Sequence, residues 1–99
     1  MTAYYPIFLN ISGKRCVVVG GGEVARRKVS ALLEHGADVE VISPDLCSEL
    51  NRRANRGEIR VRRRHYQGGD LAGALIAIAA TDDHHINLRV AQEAKETAV

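Results

Sequence analysis

The chain has 99 residues, of which 45% are hydrophobic and 26% charged, and its formal net charge is +2 at pH 7. This composition indicates one compact globular domain and excludes an intrinsically disordered chain. The longest apolar run, Leu71–Ala80, is interrupted by Gly73 and falls well short of the ~20 apolar residues of a membrane span. The amino terminus lacks the pattern of a secretory signal. We therefore expect a cytoplasmic protein that does not enter a membrane.

The first forty residues contain a strand, a helix and a second strand. Cys16–Val19 is an apolar, β-branched run, which is typical of a strand buried on both faces of a parallel sheet. From Glu23 the apolar residues follow helical spacing, and Gly36 is placed to end that helix. Asp38–Ile42 alternates between polar and apolar residues and is predicted to form the second strand.

The next segment contains a predicted second helix and an edge strand. Ser43 is the predicted N-cap and Pro44 the predicted first residue of this helix, which ends near Asn55. Ile59–Arg62 alternates between apolar and basic residues, as half-exposed edge strands do. The order so far is strand, helix, strand, helix, strand.

The last third contains a turn, an apolar strand and a final helix. Gln67–Asp70 is the predicted turn, and Leu75–Ala79 has no polar face, so we expect it to be a central strand. Thr81–Asp83 follows at its carboxyl end, where it can cap the last helix. That helix takes its apolar surface from the residues Ile86, Leu88, Val90, Ala91 and Ala94.

Strands separated by helices predict an α/β fold, a Rossmann-like doubly wound parallel sheet. The first strand is expected at the centre, with the second and third on one side and the fourth on the other. An apolar fourth strand needs a neighbour on its far edge. Because the sequence reaches Val99 before another strand pattern, we expect the sheet to be truncated before its fifth strand; the alternative is that another chain supplies that strand. Residues 1–99 are thus predicted to form one NAD-binding domain.

The glycine turn after the first strand carries the clearest chemical pattern. Gly20–Ala25 fits the motif G-x-G-x-x-A between a strand and a helix. In this motif Gly20 permits the tight turn, Gly22 lets a diphosphate approach the backbone, and Ala25 allows close packing of the helix on the sheet. The free amides and positive end of the helix then stabilise the phosphates. The alternative is a glycine-rich turn that only links strand to helix.

The ends of the second and fourth strands supply further candidates for cofactor binding. Ser43 stands about where an acidic residue binds the adenosine ribose, and Asp45 comes slightly later. No arginine follows Ser43 immediately, so NAD is favoured over NADP. Thr81 lies at the same edge of the predicted sheet and is either a cofactor contact or a helix cap. The pair His84 and His85 does not predict a metal site, because adjacent helical residues diverge and no third ligand is apparent.

The positive charge is concentrated in one segment. Arg52–Arg64 holds seven arginines and one glutamate, a net charge of +6. This predicts either a surface for an anionic partner or an ordinary solvated surface. Binding of nucleic acid is disfavoured, because the chain has no Trp and one Phe and so offers few platforms on which bases could stack.

Three stretches resemble the N-terminal domain of siroheme synthase, which also occurs alone as precorrin-2 dehydrogenase, sometimes with sirohydrochlorin ferrochelatase activity. They are residues 5–9, residues 18–28 and residues 79–83, and Arg64 and Asp70 also match. The resemblance implies NAD-dependent oxidation of the tetrapyrrole precorrin-2 to sirohydrochlorin, with an arginine-rich patch to attract its carboxylates. It also implies that Glu23, Val24, Pro44 and Asp45 contact the cofactor. The complete set of predicted cofactor-binding residues is Gly20, Gly21, Gly22, Glu23, Val24, Ser43, Pro44, Asp45 and Thr81.

One part of the family pattern is missing from this sequence. The family's catalytic aspartate follows the fifth strand, and its dimerisation segment lies further on, so both would fall beyond Val99. The resemblance therefore assigns no catalytic residue and no metal ligand here, and it implies a homodimer, with metal chelation as a further activity, for the full-length protein. We expect this chain alone to bind NAD without turnover. The alternative function is a non-catalytic NAD-binding regulatory module.

Overall fold

The computed structural model describes residues 3–97, which contain four strands and three helices. No helix within this range is both long and apolar enough to cross a membrane. In chain order the elements are β1 (Arg15–Val19), α1 (Glu23–Glu34), β2 (Asp38–Ile42), α2 (Ser48–Asn55), β3 (Arg60–Arg62), β4 (Ile76–Ala79) and α3 (His84–Thr97).

All strand pairs are parallel, and the sheet order is β3-β2-β1-β4. Val18 of β1 pairs with Val41 of β2 on one side and with Ile78 of β4 on the other. The predicted fold class, the central β1 and the edge strand β3 are thereby confirmed. The predicted central position of β4 is not seen within residues 3–97, because no strand there pairs with its outer edge and its side chains are only half-buried.

The sheet is covered on both faces, which explains the apolar run of β1. Cys16 and Val18 point to the face covered by α1 and α2, where they pack with Val29 and Leu50. Val17 and Val19 point to the opposite face, where they join a cluster that includes Tyr66, Leu71 and Val90. Because successive strand residues alternate between the two faces, a strand covered on both sides buries every residue.

Helix α1 ends as its sequence predicts. Gly36 has a φ of +77°, and its N–H donates to the Leu33 carbonyl at 3.0 Å, while the Ala37 N–H donates to the Leu32 carbonyl at 3.2 Å. These two bonds form a Schellman motif, which satisfies the last carbonyls of the helix and turns the chain into β2.

The prediction that α2 begins at Ser43 and Pro44 is wrong. The helix begins at Ser48, with Cys47 as its N-cap. Ser43 instead continues the sheet, since its N–H donates to the Arg62 carbonyl at 3.1 Å. Its hydroxyl donates to the Asp45 carbonyl at 2.7 Å and so stabilises a loop between β2 and α2. The capping pattern at Ser43 and Pro44 is local, and the hydrogen bond between Ser43 and Arg62 of the neighbouring strand prevails over it.

The sequence predicted no helix between β3 and β4, and the described chain has none there. Residues 63–75 instead form a folded segment that packs on the face of the sheet to which Val17 and Val19 point. Asp70 organises this segment and is only 5% exposed. Arg64 donates two hydrogen bonds of 2.8 Å to the Asp70 carboxylate, and the Gln67 N–H donates a third of 2.8 Å. The Arg64 guanidinium, with smaller effects of the Gln67 N–H and Arg62, lowers the pKa of Asp70. The predicted turn at residues 67–70 is thereby confirmed.

The concentrated positive charge of Arg52–Arg64 is largely neutralised in the fold. Six of these seven arginines lie within 4.0 Å of a carboxylate, and among residues 3–97 only Arg63 of this set has no acidic partner. Of the two predicted alternatives, this favours an ordinary solvated surface over a free basic patch, because carboxylates near in sequence and carboxylates remote in sequence both reach the arginines. Those carboxylates are Asp38, Glu40, Glu49, Glu58 and Asp70.

Candidate functional site

The loops that follow the four strands enclose a cleft of about 750 Å³ at the carboxyl edge of the sheet. Open α/β sheets bind their ligands at this edge. The cleft brings together all nine residues that the sequence singled out for cofactor binding, which are separated by up to 61 positions along the chain. Its remaining lining residues were not predicted, and they are Leu46, Cys47, His65, Ala80, Asp82, Asp83 and Ile86.

Gly20 lies where β1 ends, and its geometry excludes a side chain. Its φ is +135°, and a Cβ atom there would lie 2.3 Å from the Ala80 carbonyl oxygen. The glycine turn and the end of β4 are thus in direct contact, which only a residue without Cβ permits.

Gly22 is the N-cap of α1, and the space in front of it is open. A Cβ atom on Gly22 would meet no protein atom within 4 Å. Among the described residues, no side chain caps this helix, and its first turn begins at Glu23. The first backbone N–H groups of α1 therefore face the cleft without a side-chain acceptor. This cradle fits a diphosphate, which such amides and the positive helix end bind well.

Gly21 has a structural role that the motif did not predict, since the middle position of G-x-G accepts any residue. A Cβ atom on Gly21 would lie 1.9 Å from the Asp45 carbonyl oxygen. The Cys47 N–H also donates to the Gly21 carbonyl at 2.8 Å. Gly21 therefore lets the loop after β2 pack against the glycine turn, and the sequence signal for this contact was a glycine at the middle position, which the motif leaves variable.

The loop after β2 presents Asp45, and not Ser43, to the cleft opening. Ser43 is 8% exposed, and the proton of its hydroxyl is used in the bond to the Asp45 carbonyl. The Asp45 side chain is exposed. Of these two predicted residues, Asp45 is therefore the one whose side chain is exposed at the cleft.

Thr81 lines the cleft, where a cofactor contact would lie, but the alternative prediction that Thr81 caps α3 is wrong, since Asp83 is the cap. Its hydroxyl lies 2.7 Å from Asn87 Oδ1 and 3.0 Å from the Asp83 carbonyl oxygen, both of which can accept its proton, and it accepts from the Asp83 N–H at 3.1 Å. A hydroxyl has one proton to donate, so Thr81 can offer a ligand an acceptor but no donor. The N-cap of α3 is Asp83, whose carboxylate accepts from the N–H groups of His85 and Ile86 at 2.9 and 3.3 Å.

Four lining residues carry a carboxylate, namely Glu23, Asp45, Asp82 and Asp83, and none of the lining residues in the described chain is lysine or arginine. Glu23 is bound by Arg26 from outside the lining, with hydrogen bonds of 2.8 and 2.6 Å. That contact lowers the pKa of Glu23. A diphosphate here would therefore be bound by backbone amides and not by cationic side chains. Within residues 3–97 no three metal-binding side chains cluster.

A comparison with protein families gives a match over residues 7–99 to a family described as "Putative NAD(P)-binding". The chain belongs to this NAD(P)-binding family. Within it, the siroheme synthase of Nitrosospira multiformis is 46% identical over 97% of this chain and 21% of its own length. The siroheme synthase of Photorhabdus laumondii is 43% identical over 97% of this chain and 20% of its own length.

A solved structure of the family confirms the Rossmann-like fold. The protein titled "SirC, precorrin-2 dehydrogenase" superposes with a TM-score of 0.84 and 32% identity, over 89% of this chain and 44% of that chain. The resemblance to the siroheme synthase N-terminal domain is confirmed by these matches. The chain spans about a fifth of the length of the siroheme synthases that it matches.

Proposed function

We propose that the cleft binds NAD, with the diphosphate at Gly22 and the amino end of α1. The observation that carries this proposal is the open, uncapped approach to the α1 amides beside Gly22, in a chain of an NAD(P)-binding family. Gly20, Gly21 and Gly22 shape the backbone, Glu23 and Val24 begin the helix, and the other predicted contacts, Ser43, Pro44, Asp45 and Thr81, form the two flanking walls.

NAD is favoured over NADP by the charge of the cleft. A 2′-phosphate needs a cationic partner, and the described lining residues include no lysine or arginine. The exposed Asp45 carboxylate would repel that phosphate but can accept hydrogen bonds from an unmodified ribose. We expect NADP to bind at least about ten-fold more weakly than NAD, which is a difference of roughly 1.4 kcal/mol. Asp45→Asn should reduce this difference in affinity, which a titration with both dinucleotides measures.

We further propose that the protein carrying this domain oxidises precorrin-2 to sirohydrochlorin in siroheme biosynthesis. This rests on the matches to siroheme synthases and to a precorrin-2 dehydrogenase. When bound, NAD accepts a hydride from the substrate, and a proton is released to solvent. The residues of this domain bind and orient the dinucleotide. The resemblance places the catalytic aspartate after a fifth strand, so no described residue is assigned to catalysis.

Titration with NAD tests the binding site. We expect the backbone amide resonances of residues 19–26 to shift. Gly22→Val should fill the open space and weaken binding by at least about ten-fold, because it occupies the volume of the diphosphate. Gly68→Val is the matched control, since a Cβ atom there also meets nothing within 4 Å and lies outside the cleft. If NAD leaves the amides of residues 19–26 unchanged, the proposed site is wrong.

Adding precorrin-2 to the NAD-bound protein tests the proposed reaction. The formation of reduced nicotinamide, followed by its near-ultraviolet absorbance, is expected from a protein that contains the catalytic aspartate. We expect this chain to bind NAD without such turnover. Appearance of reduced nicotinamide with this chain alone would contradict the assignment of the catalytic group to a later segment.

We also propose a cytoplasmic homodimer for the protein that carries the domain. Support comes from the apolar side chains of residues 4–9, among which Phe8 is fully exposed and Ile7 is 65% exposed. Exposed apolar clusters of this kind mark association surfaces. Sedimentation of the wild-type protein and of Phe8→Ser tests this, and a wild-type protein that remains monomeric at high concentration would contradict it.

A further inference from the structure

Asn87, in the first turns of α3, binds both backbone groups and the hydroxyl of a single residue, Thr81. Its Nδ2 donates to the Thr81 carbonyl at 3.0 Å. Its Oδ1 accepts from the Thr81 hydroxyl at 2.7 Å and, more weakly, from the Thr81 N–H at 3.4 Å. The Asn87 carboxamide therefore satisfies the N–H and the carbonyl of Thr81 with hydrogen bonds, as a neighbouring β-strand would.

The turn held in this way is one wall of the cleft. Thr81, Asp82 and Asp83 line it, whereas Asn87 does not and lies behind them. The same turn contacts the glycine turn, since a Cβ atom on Gly20 would lie 2.3 Å from the Ala80 carbonyl oxygen and 3.2 Å from the Thr81 nitrogen. Any movement of the Thr81 backbone is therefore transmitted to the cleft wall and to the turn at Gly20.

We propose that Asn87 is a positioning residue for the dinucleotide, which fixes the turn between β4 and α3 before the ligand binds. This inference rests on the proposed binding of NAD to the cleft. Besides Asn87, the turn is held by hydrogen bonds between Thr81 and Asp83, which are only two residues apart, and Asp82 and Asp83 are exposed. Asn87 therefore supplies the contact that ties the turn to helix α3, and a ligand that met a loose turn would lose affinity in ordering it. Because Asn87 already orders the turn in the folded protein, the ligand does not lose affinity in ordering it.

The test compares the dissociation constant of NAD between the wild-type chain and Asn87→Ala. We expect Asn87→Ala to weaken NAD binding by about ten-fold, as expected from the loss of a preorganised wall. Asn10→Ala is the matched control. It also removes an asparagine whose Oδ1 accepts a backbone hydrogen bond, here from the Ser12 N–H at 3.1 Å, but it precedes β1 and lies outside the cleft. The control should bind NAD as the wild type does.

A second variant keeps the test decisive if Asn87→Ala does not fold. Asn87→Asp has the same shape and keeps an acceptor for the Thr81 hydroxyl, but it replaces the donor to the Thr81 carbonyl by an oxygen. It should fold and still bind NAD several-fold more weakly. Thr81→Val completes a double-mutant cycle with Asn87→Ala, and because Asn87 acts through Thr81, the two losses should not add.

Each outcome has a defined meaning. A wild-type chain that does not bind NAD overturns the proposed function and this inference together. If the wild type binds NAD and both Asn87 variants bind it within two-fold of wild type, only the role of Asn87 is wrong, whatever their thermal stability. Additive losses in the cycle with Thr81→Val would also overturn it, because they would show that Asn87 affects binding by another route.

Discussion

At the scale of single residues, consecutive glycines have different tasks. Gly21 is needed inside the protein, because a side chain would collide with the Asp45 carbonyl, whereas Gly22 faces open space. The two positions therefore separate folding from ligand binding. This distinction is invisible in the motif, which treats Gly21 as variable and Gly22 as fixed.

Alanine at each of these glycines should give different results. We expect Gly21→Ala to destabilise the chain by several kcal/mol or to displace the loop after β2, since the steric conflict is with backbone. Gly22→Ala should leave the unfolding free energy within about 1 kcal/mol of wild type, because its backbone is extended and open. Chemical unfolding followed by circular dichroism measures both, and equal stability losses would contradict this difference.

The two cysteines should report cofactor binding through their reactivity. Cys47 lines the cleft and is partly exposed, whereas Cys16 is fully buried, and burial raises the pKa of the Cys16 thiol. Alkylation requires an accessible thiolate. We expect NAD to slow alkylation of Cys47 at least several-fold, while Cys16 reacts only on unfolding. Mass spectrometry after timed exposure to iodoacetamide measures this, and a Cys47 rate unaffected by saturating NAD would argue against the proposed ligand position.

At the scale of elements, ion pairs hold together segments that lack regular structure. Arg15 of β1 binds Glu40 of β2 at 2.9 Å, and Arg62 of β3 lies 3.4 Å from the same carboxylate. Arg62 and Arg64 then reach Asp70 in the segment between β3 and β4. A chain of alternating charges thus links three strands to a loop that covers one face of the sheet in place of a helix.

Removing the Asp70 charge should loosen this segment. Asp70→Asn is expected to lower the unfolding free energy by about 2 kcal/mol, because it weakens charged hydrogen bonds from Arg64, whose side chain is itself partly exposed. Asp82→Asn is the matched control, because Asp82 is exposed, and its effect should be below about 0.5 kcal/mol. Urea unfolding of the three proteins at neutral pH provides the comparison, and equal midpoints for both variants would refute the role of Asp70.

The same carboxylate predicts a pH dependence. Because the folded-state pKa of Asp70 is lowered, mainly by Arg64, its contribution is complete above the ordinary carboxyl pKa of ~3.9. It is lost as the pH falls through the lowered folded-state value, where protonation removes the ion pair. The difference in unfolding free energy between wild type and Asp70→Asn should therefore shrink on acidification. A difference that stays constant between neutral and strongly acidic pH would contradict this.

At the scale of the whole molecule, most of the positive charge of Arg52–Arg64 is balanced by neighbouring carboxylates. Six of the seven arginines in Arg52–Arg64 contact carboxylates that lie mostly elsewhere in the chain. Among residues 3–97, the cleft is lined by four acidic residues and by no lysine or arginine. Both features suit a ligand that is bound by backbone amides.

This distribution predicts weak binding to nucleic acid. We expect double-stranded DNA to bind only in the non-specific range, with a dissociation constant of roughly 10⁻⁴ M or weaker at physiological salt. Fluorescence anisotropy of labelled DNA at low and physiological salt measures this. Tight binding that persists as the salt concentration rises would show that the ion pairs are exchanged for phosphate contacts.

The sequence by itself determined the elements that depend on local pattern. The apolar run of β1 required burial on both faces, the glycine turn fixed where α1 begins, and Gly36 fixed where it ends. Each follows from side-chain periodicity or from a backbone angle that few residues adopt. Parallel pairing and sheet order then followed from the alternation of strands and helices, since right-handed crossovers leave few topologies.

Only the tertiary structure decided the contacts between segments remote in sequence. Pairing with β3 delayed the start of α2, and loop packing made Gly21 indispensable. Two of the arginines, Arg60 and Arg62, pair with carboxylates of β2 that are remote in sequence. The places of His65 in the cleft and of Asn87 behind it were likewise invisible, because neither belongs to a local motif. The physical reason is common to all of them: hydrogen bonds, ion pairs and steric contacts depend on distances in space, which a linear pattern does not encode.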